Sequence, residues 1–117
     1  MIKNNQGLKT NFEFNVTRKY GKYFYGKYFH MYILQPINYT GISKLGVVVS
    51  AKFDKKAVVR NRVKRLFKIA FTDYLTFTKD LWIVVHPKTN SKLLTSQQII
   101  DDVNKTLSFI NLKNIKK

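Results

Sequence analysis

The sequence contains no cysteine, which excludes disulfide bonds and thiolate chemistry. Acidic side chains are scarce, because only 6 Asp and Glu residues stand against 22 Lys and Arg residues in a chain of 117. Metal-dependent nucleases need carboxylates that converge on metal ions, whereas the six acids here are scattered along the chain. The sequence therefore predicts no catalytic residues and no metal ligands in the protein.

Long apolar segments are also missing. The longest strongly apolar run, LWIVV at 81–85, has five residues, while a helix needs about 20 to span a bilayer. The opening stretch MIKNNQGLKTNF has no apolar core of a signal peptide. These features predict a cytoplasmic protein. The length predicts one domain over 1–117, with flexible ends at 1–9 and 112–117.

What the chain has in excess is positive charge, with a net charge of +16 and a pI near 10.2. Such a protein attracts polyanions, among which nucleic acid is the commonest and an anionic membrane surface is the rival. Residues 1–68 hold 15 basic and 2 acidic side chains, whereas residues 69–117 hold 7 and 4. We expect the acidic partner to meet the first part of the chain.

Hydrophobic patterning predicts an α+β fold with the element order α-β-β-α-β-α and room for one extra strand at 20–27. Two capping-box spacings, Thr10 with Glu13 and Thr95 with Gln98, mark helix starts. Runs rich in β-branched and aromatic residues mark strands. The predicted helices lie at about 11–19, 57–75 and from 96 onward, and the predicted strands at 28–34, 45–51 and 80–86.

The helix that contains VVRNRVKRLFK, residues 58–68, is amphipathic. At 100° per residue, its apolar side chains form a stripe that faces the core: Val59, Val63, Leu66, Phe67 and Ala70. The opposite side carries Asn61, Lys64, Arg65 and Lys68, with Arg60 and Arg62 on the flanks.

Most charged helix faces are simply solvated, but they usually mix charges of both signs. Here Arg60, Lys64 and Lys68 follow one another at i,i+4 spacing, which destabilises a helix by about 0.2–0.5 kcal/mol per pair. Three of the four Arg residues lie within six positions, and Arg suits forked hydrogen bonding to phosphate. The repulsion favours a surface that binds an acidic ligand.

The block AVVRNRVKRLFK, preceded by GVVVSAK and followed one strand later by DLWIVVHP, resembles the Arg-Asn-Arg signature of the protein subunit of bacterial ribonuclease P. The similarity runs from about Phe12 to Phe109. It implies a set of residues that contact the catalytic RNA: Lys52, Lys56, Arg60, Asn61, Arg62, Lys64, Arg65 and Lys68.

The resemblance also implies a cleft between the first helix and the sheet, which holds the single-stranded 5′ leader of precursor tRNA. Phe14, Arg18 and Tyr32 match its positions, and Phe12 replaces Phe14 if the register of the helix slips by two. The implied fold is a two-layer sandwich similar to the ribosomal protein S5 domain 2-like fold. Its left-handed β-α-β crossover runs against the usual right-handed rule.

Aromatic residues are concentrated near this cleft, since residues 12–32 hold nine of the seventeen in the chain. Alternation along the strand at 28–34 places Tyr28, His30, Tyr32 and Leu34 on one side, and Phe29, Met31 and Ile33 on the other. Some of these aromatics are core residues. Those beside basic residues suit base stacking, worth roughly 1–3 kcal/mol per base. His30 and His86 are lone histidines, which are usually structural or incidental.

These observations predict the protein component of ribonuclease P, an RNA-binding cofactor that strengthens and broadens substrate binding during endonucleolytic removal of the 5′ leader. The resemblance implies that catalysis belongs to the RNA and its Mg²⁺, with none bound by the protein alone. The implied partners are the catalytic RNA and precursor tRNA, without membrane or DNA. The alternative is a small basic structural RNA-binding protein of the ribosomal type. A helix-turn-helix DNA binder is disfavoured, because that motif needs a second helix just before the reading helix.

Overall fold

The computed structural model describes residues 6–108 and 110 of the chain. Its three α-helices are α1 (Asn11–Tyr20), α2 (Ala57–Phe77) and α3 (Ser96–Ser108), and its four strands are β1 (Lys22–Tyr25), β2 (Phe29–Leu34), β3 (Lys44–Val47) and β4 (Trp82–Pro87). A short 3₁₀ turn occupies Thr89–Ser91. The predicted α+β class is confirmed, and the extra strand expected at 20–27 is β1.

Both predicted capping boxes form. The backbone N–H of Glu13 donates to Thr10 Oγ1 over 3.1 Å, and the Glu13 carboxylate accepts the Thr10 N–H over 3.0 Å. At the start of α3, Thr95 and Gln98 exchange the same two hydrogen bonds, at 3.2 and 2.9 Å. Each box satisfies backbone N–H groups that a helix start leaves unpaired, so local sequence determines where α1 and α3 begin.

The four strands form one sheet in the order β1-β2-β4-β3. β2 is antiparallel to both β1 and β4, whereas β3 and β4 are parallel neighbours. The chain between these two parallel strands passes through α2, so β3-α2-β4 is a β-α-β unit that attaches the basic helix to the sheet. The left-handed sense implied by the resemblance stays a prediction.

The main core lies between one face of the sheet and the helices α2 and α3. The sheet contributes alternate residues, among them Phe29, Met31 and Ile33 of β2, which are all fully buried. The predicted stripe of α2 is confirmed, since its members are buried or, for Val59, partly buried against this core. Strand alternation and helix periodicity thus turn matching apolar faces toward each other.

Helix α1 packs on the opposite face of the sheet, over a smaller core of Leu8, Trp82 and Val84. The Phe14 ring contacts Gly46 so closely that a β-carbon at this position would overlap the ring. The sequence predicted a flexible end at 1–9, which stays a prediction; within it, Leu8 is buried and its N–H donates to Leu45 O over 3.0 Å. The predicted flexible end at 112–117 lies outside the described residues.

Candidate nucleic-acid interface

The solvent side of α2 carries uncompensated positive charge. Asn61, Arg65 and Lys68 are exposed and Lys64 is partly exposed. Within the part of the chain that the structure describes, the ion pairs are Lys44 with Glu13 and Lys92 with Asp54, and neither involves this face. We call Asn61, Lys64, Arg65 and Lys68 the basic face. Its side chains are free to bind an acidic partner.

Arg60 and Arg62, the other two α2 residues of the predicted RNA-binding set, also form hydrogen bonds with the protein backbone. Arg60 Nη1 donates to the carbonyl oxygens of Asp54 and Lys55, over 2.8 and 2.9 Å. The side chain of the N-cap residue, Lys56, caps no backbone N–H, so Arg60 instead fixes the turn that leads into the helix. The residue spacing in the sequence did not predict these hydrogen bonds.

Arg62 has a comparable structural role on the other flank. Its guanidinium donates to Leu94 O over 3.0 Å and to Lys92 O over 3.4 Å, which ties α2 to the segment before α3. A guanidinium has five N–H donors, so both arginines keep donors for RNA. Their replacement would nevertheless disturb the fold as well as any RNA contact.

The other two predicted lysines, Lys52 and Lys56, are exposed in and after the loop that precedes α2. Asp54 organises this loop, because its carboxylate accepts the Lys56 N–H over 2.8 Å and pairs with Lys92 over 3.0 Å. The Lys56 hydrogen bond, followed by the contact with Lys92, lowers the pKa of Asp54. Ionised Asp54 therefore fixes the backbone of Lys56, next to the N-terminal end of the basic face.

A second surface lies on the side of the sheet that carries α1. Its rings come from three adjacent strands and form one connected array, which we call the aromatic face: Tyr23, Tyr25, His30, Tyr32 and His86. The ring centroids are 5.1 Å apart for Tyr23 and Tyr32, 5.0 Å for His30 and His86, and 6.0 Å for Tyr32 and His86. Such an array suits stacking of unpaired bases.

Cations border the aromatic face. Lys88 Nζ lies 3.3 Å from the centroid of the Tyr25 ring and donates to Gly26 O. Burial, and then Lys88, lower the pKa of His30. Burial, and then His30 and Arg18, lower the pKa of His86 from 6.5 to about 4. At neutral pH the face therefore presents uncharged imidazoles inside a positive rim.

Of the predicted cleft residues, Tyr32 belongs to the aromatic face and Arg18 of α1 lies close enough to His86 to lower its pKa. Phe14 is packed between α1 and the sheet, against Gly46. Phe12 is 69% exposed and is absent from the residues packed on that core. Sequence reasoning missed Tyr23, Lys88 and the two histidines as a group, although strand alternation had placed His30 beside Tyr32.

An open groove of about 720 Å³ continues from the aromatic face. His30, His86, Lys52 and Lys88 line it together with neutral residues of the segments 48–53 and 87–90. None of the described lining residues is acidic. The groove thus reaches from the aromatic face to the loop that precedes the basic face.

Among the described residues, no three His, Cys, Asp or Glu side chains are close enough to hold a metal ion. No helix in residues 6–108 combines the length and apolar character needed to cross a membrane. The chemistry that the two surfaces offer is electrostatic binding and ring stacking.

Comparison with known proteins gives one family. A family model described as Ribonuclease P matches residues 2–111. The chain is 34% identical to the ribonuclease P protein component of Pseudanabaena sp. (strain PCC 6903), over 92% of this chain and 93% of that relative. It is 44% identical to the Clostridioides difficile protein of the same name over 66 residues, which are 56% of this chain and 55% of the relative.

Solved structures of the same kind share the fold. The RNase P protein from Thermotoga maritima superposes with a TM-score of 0.75 at 25% identity, covering 90% of this chain and 97% of that one. The Staphylococcus aureus RNase P protein gives a TM-score of 0.78 at 23% identity, with 96% and 98% covered. The second likeness concerns the fold alone.

Proposed function

Because the chain belongs to the ribonuclease P protein family, we propose that it is the RNA-binding component of the ribonucleoprotein that removes the 5′ leader from precursor tRNA. The observation that carries this proposal is the presence of a basic face and a separate aromatic face on one small domain. The basic face has charge without rings, whereas the aromatic face has rings with a positive rim. The first suits folded RNA and the second suits a single strand.

The basic face is proposed to bind the catalytic RNA. Lys64 and Lys68 lie one turn apart on α2 with Arg65 next to Lys64, and no described carboxylate pairs with these three residues. Each phosphate that they neutralise releases condensed counterions, which supplies most of the salt-dependent affinity of such complexes. Binding also relieves the like-charge repulsion at i,i+4. Lys52 and Lys56 extend this surface toward the groove.

The aromatic face is proposed to bind the 5′ leader. A precursor contacts this surface through its unpaired nucleotides, but a mature tRNA has no leader to place there. The protein would then favour substrate over product, which raises substrate affinity without a catalytic side chain in the protein. Tyr23 and Tyr32 offer ring surfaces on adjacent strands, and Arg18 and Lys88 offer charge for the backbone of the leader.

We assign the chemical step to the RNA and its Mg²⁺. Metal ions in phosphoryl transfer stabilise charge and activate the attacking oxygen. The described part of this chain brings together no set of three ligands that would suit such an ion. We therefore expect the protein alone to leave precursor tRNA intact. The cytoplasmic location stays a prediction.

Reconstitution tests the proposal. The purified chain is combined with a bacterial ribonuclease P RNA at low Mg²⁺, and removal of the leader from precursor tRNA is followed by gel electrophoresis. The expected result is cleavage at the mature 5′ end with a lower KM for the RNA and protein together than for the RNA alone, and no cleavage by the protein alone. A chain that binds RNA but never stimulates cleavage would favour the structural RNA-binding alternative, which no observation on this molecule favours at present.

A further inference from the structure

The two histidines of the chain meet on the aromatic face. His30 and His86 are partners in the β2–β4 register, and their ring centroids lie 5.0 Å apart. They are the only histidines in the sequence. Any group on the folded protein that titrates like an imidazole is therefore one of these two neighbours.

Each of the two histidine rings has a nitrogen that forms no hydrogen bond with a described residue. The Tyr23 hydroxyl and His30 Nδ1 are 3.0 Å apart, which leaves the Nε2 of His30 for another partner. The Nε2 of His86 is buried and makes no hydrogen bond with any described residue. A buried polar atom without a partner is costly, so a ligand in the groove gains binding energy if the His86 ring turns this nitrogen toward it.

The surroundings of the pair favour an anion. Arg18 faces it from α1, Lys88 from the end of β4, and Lys52 lines the same groove. The other facing groups are the hydroxyl-bearing rings of Tyr23 and Tyr32. No carboxylate is among the described residues that line the groove. Burial first, and then this positive field, therefore oppose protonation of either imidazole until a negative group arrives.

We propose that the His30–His86 pair is a phosphate-binding site, at which a phosphate of single-stranded RNA binds together with a proton. The proposal deepens the proposed function, because it rests on the aromatic face as the place where the leader lies. A phosphodiester carries one negative charge and two accepting oxygens, and a protonated imidazole has two N–H donors. The phosphate stabilises the imidazolium that burial, and then Arg18, Lys88 and the neighbouring ring, otherwise suppress.

The sign of the pH dependence follows from linkage. The complex binds more protons than the free protein does, so affinity must increase as the pH falls. If the phosphate restores the pKa of His86 from about 4 to its ordinary 6.5, the affinity should increase about tenfold between pH 7.5 and pH 5.5. At pH 6 the complex should take up about 0.7 proton per strand bound.

The experiment uses the full chain and a tetramethylrhodamine-labelled oligouridylate of ten nucleotides, because neither uracil nor this dye gains a proton in this pH range. The dissociation constant is measured by fluorescence anisotropy from pH 5.5 to 7.5 at fixed ionic strength. The wild type should bind about tenfold more tightly at pH 5.5 than at pH 7.5. His30→Gln/His86→Gln should bind with little dependence on pH, whereas Lys79→Gln/Lys105→Gln, which removes two exposed charges elsewhere, should keep the wild-type slope.

Proton uptake gives a second readout that needs no variant. Calorimetric titration of the wild type at pH 6, in buffers that differ in ionisation enthalpy, should show uptake of a proton on binding. A flat pH profile, zero uptake, or an unchanged slope in a folded double-histidine variant would each overturn the site. If the site holds but the wild-type chain never supports leader removal with the catalytic RNA, the proposed function fails and the phosphate site stands.

Discussion

The basic face can be tested by removing charge without touching the fold. Lys64→Gln/Lys68→Gln removes two neighbouring cations that make no hydrogen bond or ion pair with a described residue. Arg60 and Arg62 are left in place, because both donate to backbone carbonyls of the protein. Each lost phosphate contact should lower the slope of log affinity against log salt by about 0.7–0.9.

Two lost contacts should therefore lower that slope by about 1.4–1.8 and weaken binding to the catalytic RNA about 25- to 60-fold at 0.1 M salt. The same variant should be no less stable than wild type, and the relief of i,i+4 repulsion should add about 0.2–0.5 kcal/mol per like-charged pair removed. The pairs concerned are Arg60 with Lys64 and Lys64 with Lys68. Tighter folding and weaker binding in one variant is a combination that general damage cannot produce.

The assay is filter binding or anisotropy with the catalytic RNA at several salt concentrations, beside urea unfolding of the free protein. Lys79→Gln/Lys105→Gln is the matched control, since it removes the same charge from exposed positions outside the basic face. The control should lose much less affinity and slope. Equal losses in the two variants would mean that only total charge matters, and the assignment of a specific surface to α2 would be refuted.

Three further predictions concern the other side of the sheet. Gly46→Ala should lower the free energy of unfolding by about 1–3 kcal/mol, because its methyl group would overlap the Phe14 ring. Urea titration should show a clearly smaller loss when the same change is made in a Phe14→Ala background. Equal losses in the two backgrounds would contradict this contact. Tyr32→Ala should lower the affinity of the holoenzyme for precursor tRNA, but not for mature tRNA, by about 1–3 kcal/mol, the value of one stacked base; a fall for both ligands would identify Tyr32 as a structural residue. The pKa of His86 in the folded protein lies below its ordinary value, so the unfolded chain binds the proton more readily and stability should be lost as the pH falls from about 6.5 toward 4. After allowance for the half-exposed ring, urea titration should show a loss of about 1 kcal/mol in the free energy of unfolding between pH 7.5 and 5. A His86→Gln variant with the same loss would refute the assignment to His86.

Much of this protein follows from short-range pattern in the sequence. The capping boxes at Thr10 and Thr95 start α1 and α3 where predicted, because each depends on side chains three residues apart. The apolar stripe of α2 and the alternation of β2 were also predicted, since helix and strand geometry turn residues at fixed intervals toward the core. The same periodicity predicted which charges lie on the basic face.

The strand order and the two sides of the sheet depended on contacts between distant segments. Periodicity could not decide between Phe12 and Phe14, and the close contact with Gly46 places Phe14 against the sheet. The attachment of residues 6–8 likewise depends on the free edge of β3. Pairing and packing of this kind join residues that are far apart in sequence, so no local pattern specifies them.

The two functional surfaces were likewise predicted only in part from the sequence. Sequence alone predicted a cationic helix and an aromatic strand, but it could not show that Arg60 and Arg62 also bind backbone carbonyls across a loop or a neighbouring segment. Nor could it bring His30 and His86 together, because they are 56 positions apart and meet only through the register of β2 and β4. The sequence by itself determined the residue types and their local spacing. Tertiary structure decided the hydrogen-bond partners and the pKa values, because partners and pKa values depend on which distant groups lie close together in a low-dielectric environment.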